Sequence, residues 1–424
     1  MTATITMLAN YGAIIVMAHS RQQNRPNRRN VLLAATLVMS AITAKAHGGS
    51  SAASGKSPMP ATDADIEARI QRVLTGLRPP IGFAGQPHGK LPDRMAALCV
   101  PGVSIAVIRN GTIEWARGFG VTKNGGPAVG QDTLFQAASI SKPVTAMAVL
   151  ALVQAGRLDL DADVNSYLKS WKVPTNSYTN ETKVTLRQLL SHSAGTTVHG
   201  FAGYETGTAI PSLLEILNGA PPANNPPIVV TRQPGKSFRY SGGGYTIVQQ
   251  LLIDVTGKPF AELLDRTVLH PLGMTRSFYH QPLPARDLRN AAIPHTASGD
   301  PVAGGPHIYP ELAAAGLWTT PTDLARFDLA LLDAWVGRTT TVLSHPTVVH
   351  MLTPGLGHYG LGLVVKGSPP HRGFGHDGVN AGFISSMVTY ETGDGAVVMT
   401  NGDQGGVLAD EIIESIAAEY QWPD

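Results

Sequence analysis

A single cysteine, Cys99, in 424 residues leaves this chain unable to close an internal disulfide or to assemble a thiolate metal cluster. Charge is sparse too: Asp, Glu, Lys and Arg make up 15% of the residues, and 32 bases against 30 acids leave a formal net charge of +2. Residues 1–46 hold five of those bases and no acid, so the remainder carries slightly more acid than base and offers nucleic acid no basic surface. Three common catalytic signatures are missing. There is no G-x-S-x-G elbow and no H-E-x-x-H helix, and Gly235-Lys236-Ser237 fails as a phosphate loop because Val230 stands where the first glycine must be. The 14 histidines show no ligand spacing, so neither a metal nor another cofactor is expected. What the composition does supply is 43% hydrophobic residues over a length that can bury a full core, the profile of a soluble globular protein.

Against that background Ser139-Ile140-Ser141-Lys142-Pro143 stands out, because it opens an apolar run from Val144 to Val153 that ends at Gln154-Ala155-Gly156. A serine three residues ahead of a lysine at a helix start puts hydroxyl and amine on one face. A serine hydroxyl hardly ionises at neutral pH, and a lysine can take its proton only if desolvation lowers its own pKa. The apolar helix behind Lys142 offers the dry wall. Spacing alone is weak evidence, as Ser166-Tyr167-Leu168-Lys169 shows: it lies between Asp159-Leu160-Asp161 and Pro174 with no comparable helix behind it, and reads as solvated surface.

Two later segments give support. Pro234 to Tyr245 places Tyr240 between a tight turn and a segment read as an amphipathic helix, Thr246–Thr256. From there a phenolate could reach a serine hydroxyl if a lysine nearby favours the ionised form. Tyr240 is therefore a candidate base beside Lys142, and the residues leave the choice between them open. Further on, Gly373 to Phe383 leads into Ile384–Tyr390, a turn at Thr392–Gly395 and Ala396–Thr400, which reads as hairpin structure. A glycine-rich edge strand lets a substrate approach closely, and the amides of Val379 and Ser139 are candidate oxyanion donors.

These segments, in this order, resemble the serine β-lactamase and penicillin-recognising family, specifically its class C branch, which also holds D,D-carboxypeptidase-like proteins, D-aminopeptidases and class VIII esterases. The family pattern S-x-x-K, Y-x-N or a variant, then K-T-G or H-x-G falls on Ser139 and Lys142, on Tyr240, and on His376 and Gly378. Stretches such as Leu189–Gly195, Leu269–Thr275 and Tyr359–Leu363 look similar as well, so the resemblance covers roughly residues 62–420. It implies a metal-independent acyl transfer in which Ser139 attacks a carbonyl and Lys142 and Tyr240 share proton transfer. Two positions depart from the β-lactamase pattern. Gly242 stands where Y-x-N has an asparagine amide, and His376, neutral at pH 7 if unperturbed, stands where K-T-G has a permanent cation. Losing that cation costs a charge-assisted hydrogen bond to a substrate carboxylate, about 1.5–3 kcal/mol, whereas neutral esters and amides lose nothing. The expectation is an esterase- or D-peptidase-like serine hydrolase with a small-molecule or short-peptide substrate lined by His376, Gly378 and Gly242. The alternatives are a class C-like β-lactamase and a non-catalytic binder of cell-wall fragments.

The ends of the chain complete the reading. Arg28-Arg29, the apolar Val31–Thr43 and the small-residue site Ala44-Lys45-Ala46 match a secretory signal peptide, possible for twin-arginine export, so a secreted or periplasmic protein is expected. Residues 47–61, rich in Gly, Ser and Pro, read as a flexible tether, and residues 62–424 as the hydrolase domain. Within it Asp63–Leu77 reads as a helix, and Asn110-Gly111 joins strands Val103–Arg109 and Thr112–Arg117. Leu408, Ile412, Ile416 and Tyr420 share one face of a final helix. The expected fold is α+β: an antiparallel sheet built from both chain ends and flanked by helices, with a mostly helical lobe between, and the site in the crevice where the motifs meet.

Overall fold

The computed structural model describes residues 62–79 and 89–422. The expected leader and tether, residues 1–61, lie outside the described residues. Six antiparallel strands form the main sheet: β1 (Gly102–Arg109), β2 (Thr112–Gly120), β3 (Val364–Lys366), β4 (Gly373–Asn380), β5 (Phe383–Tyr390) and β6 (Gly395–Thr400), in the order β2-β1-β6-β5-β4-β3. The first two come from the N-terminal part and the last four from the C-terminal part, as the pattern of strands predicts.

The β1–β2 turn follows from its two residues. Asn110 and Gly111 both take positive φ, 51° and 74°, the geometry of a tight hairpin turn whose twist matches the strands it joins. Period-two alternation then divides β1 between two cores: Val103, Ile105 and Val107 face one, Ala106 and Ile108 the other. The outer core is closed by α1 (Asp63–Thr75), started by a Thr62–Asp65 capping box, and by the C-terminal helix α5 (Gly405–Tyr420). Leu408, Ile412 and Ile416 of α5 are buried there, each contributing about 1.5–3 kcal/mol of transfer free energy. Tyr420 is half-buried and takes the Trp115 Nε1–H at 2.9 Å.

On the other face lie α2 (Ser141–Gln154), α3 (Gly242–Thr256) and α4 (Pro321–Trp335) with several shorter helices. They share one large apolar core that includes Ala106 and Phe383 of the sheet, Val144 and Val149 of α2, Ile247 and Leu251 of α3, and Leu324 and Leu331 of α4. One expectation needs correction: the segment read as amphipathic, Thr246–Thr256, belongs to a helix buried from Gly242 to Leu252, because α3 runs through the middle of the lobe and meets helices on several sides. Ser241 caps its N-terminus and Gly257, at φ 67°, ends it.

Candidate active site

Ser139 sits in a single 3-10 turn, Ala138–Ile140, immediately ahead of α2. Ala138 has φ 49°, in the left-handed region that costs a residue with a Cβ about 1–2 kcal/mol. Four hydrogen bonds hold that conformation. Ser141 Oγ donates to the Ala138 carbonyl at 2.6 Å and accepts the Leu317 N–H at 3.0 Å. The Ala137 N–H reaches the Leu317 carbonyl at 2.9 Å, and Ser385 Oγ of β5 donates to the Ala137 carbonyl at 2.8 Å. The turn is thereby fastened both to the helical lobe and to the sheet, with Ser139 its half-exposed member.

Lys142, one helical turn on, is 2% exposed. Its Nζ lies 2.8 Å from Ser139 Oγ and donates to the Ala314 carbonyl at 2.8 Å. Burial lowers its pKa from 10.5 to about 7, because the surrounding helices withhold the solvation an ammonium needs. Nζ also stands 5.0 Å above the Tyr240 ring. Tyr240 moves in the opposite direction. Burial raises its phenol above the ordinary value, and a hydrogen bond with Ser139 offsets only part of that. Burial thus favours the neutral phenol at Tyr240 over the phenolate that the sequence left as one of two candidate bases. The structure thus brings Ser139, Lys142 and Tyr240 together and divides the proton chemistry between the last two: the amine is the group poised to accept, the phenol the group poised to give.

The β4 residues form the facing wall. Gly378 lies against the Ser139 turn so closely that a Cβ would sit 2.2 Å from the Ala137 carbonyl oxygen and 2.4 Å from Ser385 Oγ. The glycine expected to make room for substrate makes room for the turn instead. Val379 is half-exposed on the part of β4 beyond β3, which pairs only with Gly373–Gly375. His376 is buried, and both its nitrogens are engaged within the protein: Nδ1 donates to the Asp377 carbonyl at 2.6 Å, so Nε2 accepts the Tyr359 O–H at 2.7 Å. Burial and the neighbouring Lys142 push its pKa down to about 4. A direct hydrogen bond from His376 to substrate, the role its position in the sequence suggested, has no nitrogen left to make it. Gly242 is likewise covered, since a Cβ there would lie 3.0 Å from Phe201 Cε2 and 3.2 Å from the His199 carbonyl oxygen.

Sequence reasoning missed several residues that shape this cleft. Ser141 lies inside the quoted motif, yet nothing in the spacing marks its Oγ as the brace of the turn. Phe201 and His199 come from a loop without pattern, and the exposed His199 packs at a tilt against the Tyr240 ring, with centroids 4.9 Å apart. Asn380 donates to Gln136 Oε1 at 2.7 Å and to the Ala315 carbonyl at 3.2 Å, tying the end of β4 to the lobe. His192 and Tyr359 fall in stretches noted only for their similarity, Leu189–Gly195 and Tyr359–Leu363.

A family model described as Beta-lactamase matches residues 90–421. Among curated proteins, the protein flp of Staphylococcus aureus (strain MRSA252) is 28% identical over 251 residues, 56% of this chain and 45% of that protein, so the chain spans less than half the length of such relatives. Among solved structures, the octameric penicillin-binding protein homologue from Pyrococcus abyssi superposes with a TM-score of 0.65 at 23% identity, covering 78% of this chain and 76% of that one. The D-amino acid amidase from Ochrobactrum anthropi SV3, complexed with L-phenylalanine, gives 0.63 at 21% identity, covering 84% of this chain and 99% of its own. At these identities the two structures establish a shared fold.

Proposed function

This chain belongs to the β-lactamase family, and on that premise we propose that it is a serine hydrolase working through a covalent acyl-enzyme on neutral ester or amide substrates. The observation that carries the reading is the 2.8 Å pairing of Ser139 Oγ with a lysine amine that burial has brought to about 7. In its neutral form Lys142 has two N–H bonds and one lone pair: one N–H serves the Ala314 carbonyl and the lone pair receives the Ser139 proton. Ser139 Oγ then bonds to the substrate carbonyl carbon, and the oxyanion that forms takes the amides of Ser139 and Val379 as donors. Collapse breaks the bond to the leaving group, which receives a proton from the Tyr240 O–H, and Tyr240 is reprotonated from Lys142. Water repeats the sequence on the acyl-enzyme and frees Ser139.

Substrate preference rests on the two departures from the β-lactamase pattern. His376 is neutral and internally satisfied, so it offers a substrate carboxylate neither charge nor a donor, and the ground where Y-x-N would present an amide is covered by Phe201 and the backbone of His199. Both favour an uncharged ester or amide over a β-lactam. The amidase that shares the fold keeps D-amino amides within range. The leader of the sequence supports export to the periplasm or beyond.

The test is hydrolysis of a short-chain p-nitrophenyl ester, a D-amino acid p-nitroanilide and a chromogenic cephalosporin, each beside Ser139→Ala. Ester or anilide turnover that disappears in the variant is expected, with cephalosporin opening lower in kcat/KM by about tenfold or more, the equivalent of one missing charge-assisted hydrogen bond. Cephalosporin opening faster than both would make the protein a β-lactamase and overturn the weight given to His376 and Gly242.

A further inference from the structure

Tyr240 must hold its hydroxyl at Ser139, yet it belongs to a stretch with no regular structure, one residue before the cap of α3. Something has to fix the chain before and after it. Both sides lead to one residue. The Arg239 N–H donates to the His192 carbonyl oxygen at 2.7 Å, and the Ser241 N–H donates to His192 Nδ1 at 3.1 Å. The His192 ring also packs against the Tyr240 ring at a tilt, with centroids 4.2 Å apart and planes at 36°. A backbone carbonyl, a ring nitrogen and a ring face of one buried residue thus meet the segment before, after and at Tyr240.

We infer that His192 is the positioning residue for Tyr240, a clamp whose Nδ1 lone pair sets where the phenol stands relative to Ser139; this rests on the hydrolase reading given above. Two further observations support it. His192 is held in place independently of Tyr240, because it occupies a left-handed conformation, φ 56°, inside a turn whose Ser193 N–H bonds the Gln188 carbonyl at 2.8 Å and whose Ser193 carbonyl takes the Gly235 N–H at 2.8 Å. Ser241 is equally fixed on its far side, where Oγ donates to the Thr197 carbonyl at 2.6 Å and accepts the Gly244 N–H at 3.0 Å. The clamp therefore joins two rigid pieces, and Tyr240 is the residue between them.

An acceptor at Nδ1 requires a neutral imidazole carrying its proton on Nε2. The Ser241 N–H selects that tautomer by needing an acceptor at Nδ1, and the Nε2–H it leaves is buried with no partner. Burial, together with Lys142, His376 and His199, holds His192 well below the ordinary histidine range, while its remaining neighbours, Tyr240, Tyr245, Tyr359 and Phe238, are uncharged rings. A protonated ring would turn a donor toward the Ser241 N–H and push the segment away. The same residue that packs against the phenol is thus kept in the one form that can hold it.

Two substitutions separate the ring from the lone pair. His192→Phe keeps a ring and removes the acceptor but puts a bulky residue at φ 56°, a strain the Tyr240→Phe background below controls for; His192→Asn removes the ring, keeps an oxygen acceptor near the position of Nδ1 and tolerates the left-handed backbone. Misplacing a catalytic group by about 1 Å can cost about 100-fold, so His192→Phe is expected to lower kcat on the p-nitrophenyl ester by about that factor with KM within about threefold. His192→Asn should recover activity to within about tenfold of the unsubstituted protein. In a Tyr240→Phe background His192→Phe should cost less than about threefold more, because the residue it positions is already gone. Rates are taken per folded molecule, with the folded fraction read by circular dichroism. A full 100-fold loss in the Tyr240→Phe background, or equal losses in the Phe and Asn variants, would reduce His192 to a structural turn residue. Ser139-dependent turnover that His192→Phe leaves within twofold overturns the clamp alone, whereas turnover that survives Ser139→Ala overturns the hydrolase reading and this inference with it.

Discussion

Ser139 and Lys142 have the same spacing as Ser166 and Lys169, and the two pairs lead opposite lives. The first pair opens a 14-residue helix whose residues from Ser141 to Leu150 are all buried, and the amine touches the hydroxyl. The second opens nothing: its helix, Val164–Tyr167, has four residues, Ser166 Oγ turns back to the Asp163 carbonyl at 2.6 Å, and both Ser166 and Lys169 are exposed. Three residues of separation on a helical turn bring two side chains within reach, but they do not withdraw water from either. Reactivity comes from the wall behind the lysine. In the first pair that wall is the whole of α2 and the Ala314 carbonyl; in the second it is solvent.

The comparison predicts its own largest break. Ser139→Ala should lower ester turnover by at least about 10⁴-fold, and Ser166→Ala should leave it within about twofold, both with unchanged melting temperature within a few degrees. Steady-state kinetics on the two purified variants decides it. Comparable losses from both would mean that burial does not distinguish the pairs and that the nucleophile has been misplaced.

Part of this contrast was legible in the residues. The length of the apolar run after Lys142, set beside the turn-like and proline-bounded surroundings of Ser166, already told the buried motif from the exposed one, because helix length and apolarity are written locally. The sheet from both chain ends was legible for the same reason: Asn110-Gly111 and the alternating strands on each side of the Thr392–Gly395 turn are local signals. What the residues did not carry is long-range. Phe201 fills the ground above Gly242, Ser385 braces the turn of Ser139 from another strand, and His192 reaches Tyr240 across 48 positions, and no periodicity links such partners. The roles of Gly378 and His376 were misjudged for that reason. Each sits where the pattern puts it, yet one is spent on packing against Ala137 and the other on Tyr359 and its own strand. The order of Lys142 and Tyr240 as base and acid could not be read from spacing either, because it follows from burial, which disfavours the ammonium of one and the phenolate of the other.

That order gives the second, smaller prediction. Lys142→Met should lower kcat by about 10³-fold, in the range a positioned general base supplies, and Lys169→Met should change it by less than twofold. In the unsubstituted protein kcat/KM should fall about tenfold per pH unit below about 7, as Lys142 takes up a proton and loses its lone pair, and stay level above. A profile flat down to pH 5, or a limb that persists in Lys142→Met at the same position, would assign the base elsewhere.

The smallest effect is on stability, and it sharpens the comparison because it does not depend on substrate. Lys142 titrates at about 7 when folded and near its ordinary 10.5 when unfolded, so between those values the unfolded chain binds more protons. The Lys142 contribution to the unfolding free energy therefore rises with pH across that window, against an opposite contribution up to about pH 8 from the buried carboxyls of Glu311 and Asp328, which titrate at about 8. Below about pH 7 both states are protonated and the full penalty of burying an ammonium applies, on the order of 5 kcal/mol for a shift of this size. Above about 10.5 it has vanished. Lys142→Met removes the penalty and the hydrogen bonds to Ser139 and Ala314 together, so at pH 6 it should stabilise the fold by roughly 2–4 kcal/mol. It should also flatten the rise between pH 7 and 10, while Lys169→Met leaves that rise intact. Urea unfolding at pH 6, 8 and 9.5 measures all three chains. Lys366, lowered by its own burial, leaves a rise of the same sign in every chain, so the test is the difference: a rise as steep in Lys142→Met as in the unsubstituted protein would show that Lys142 is charged in the fold at neutral pH, and the wall that separates the two serine–lysine pairs would lose its energetic meaning.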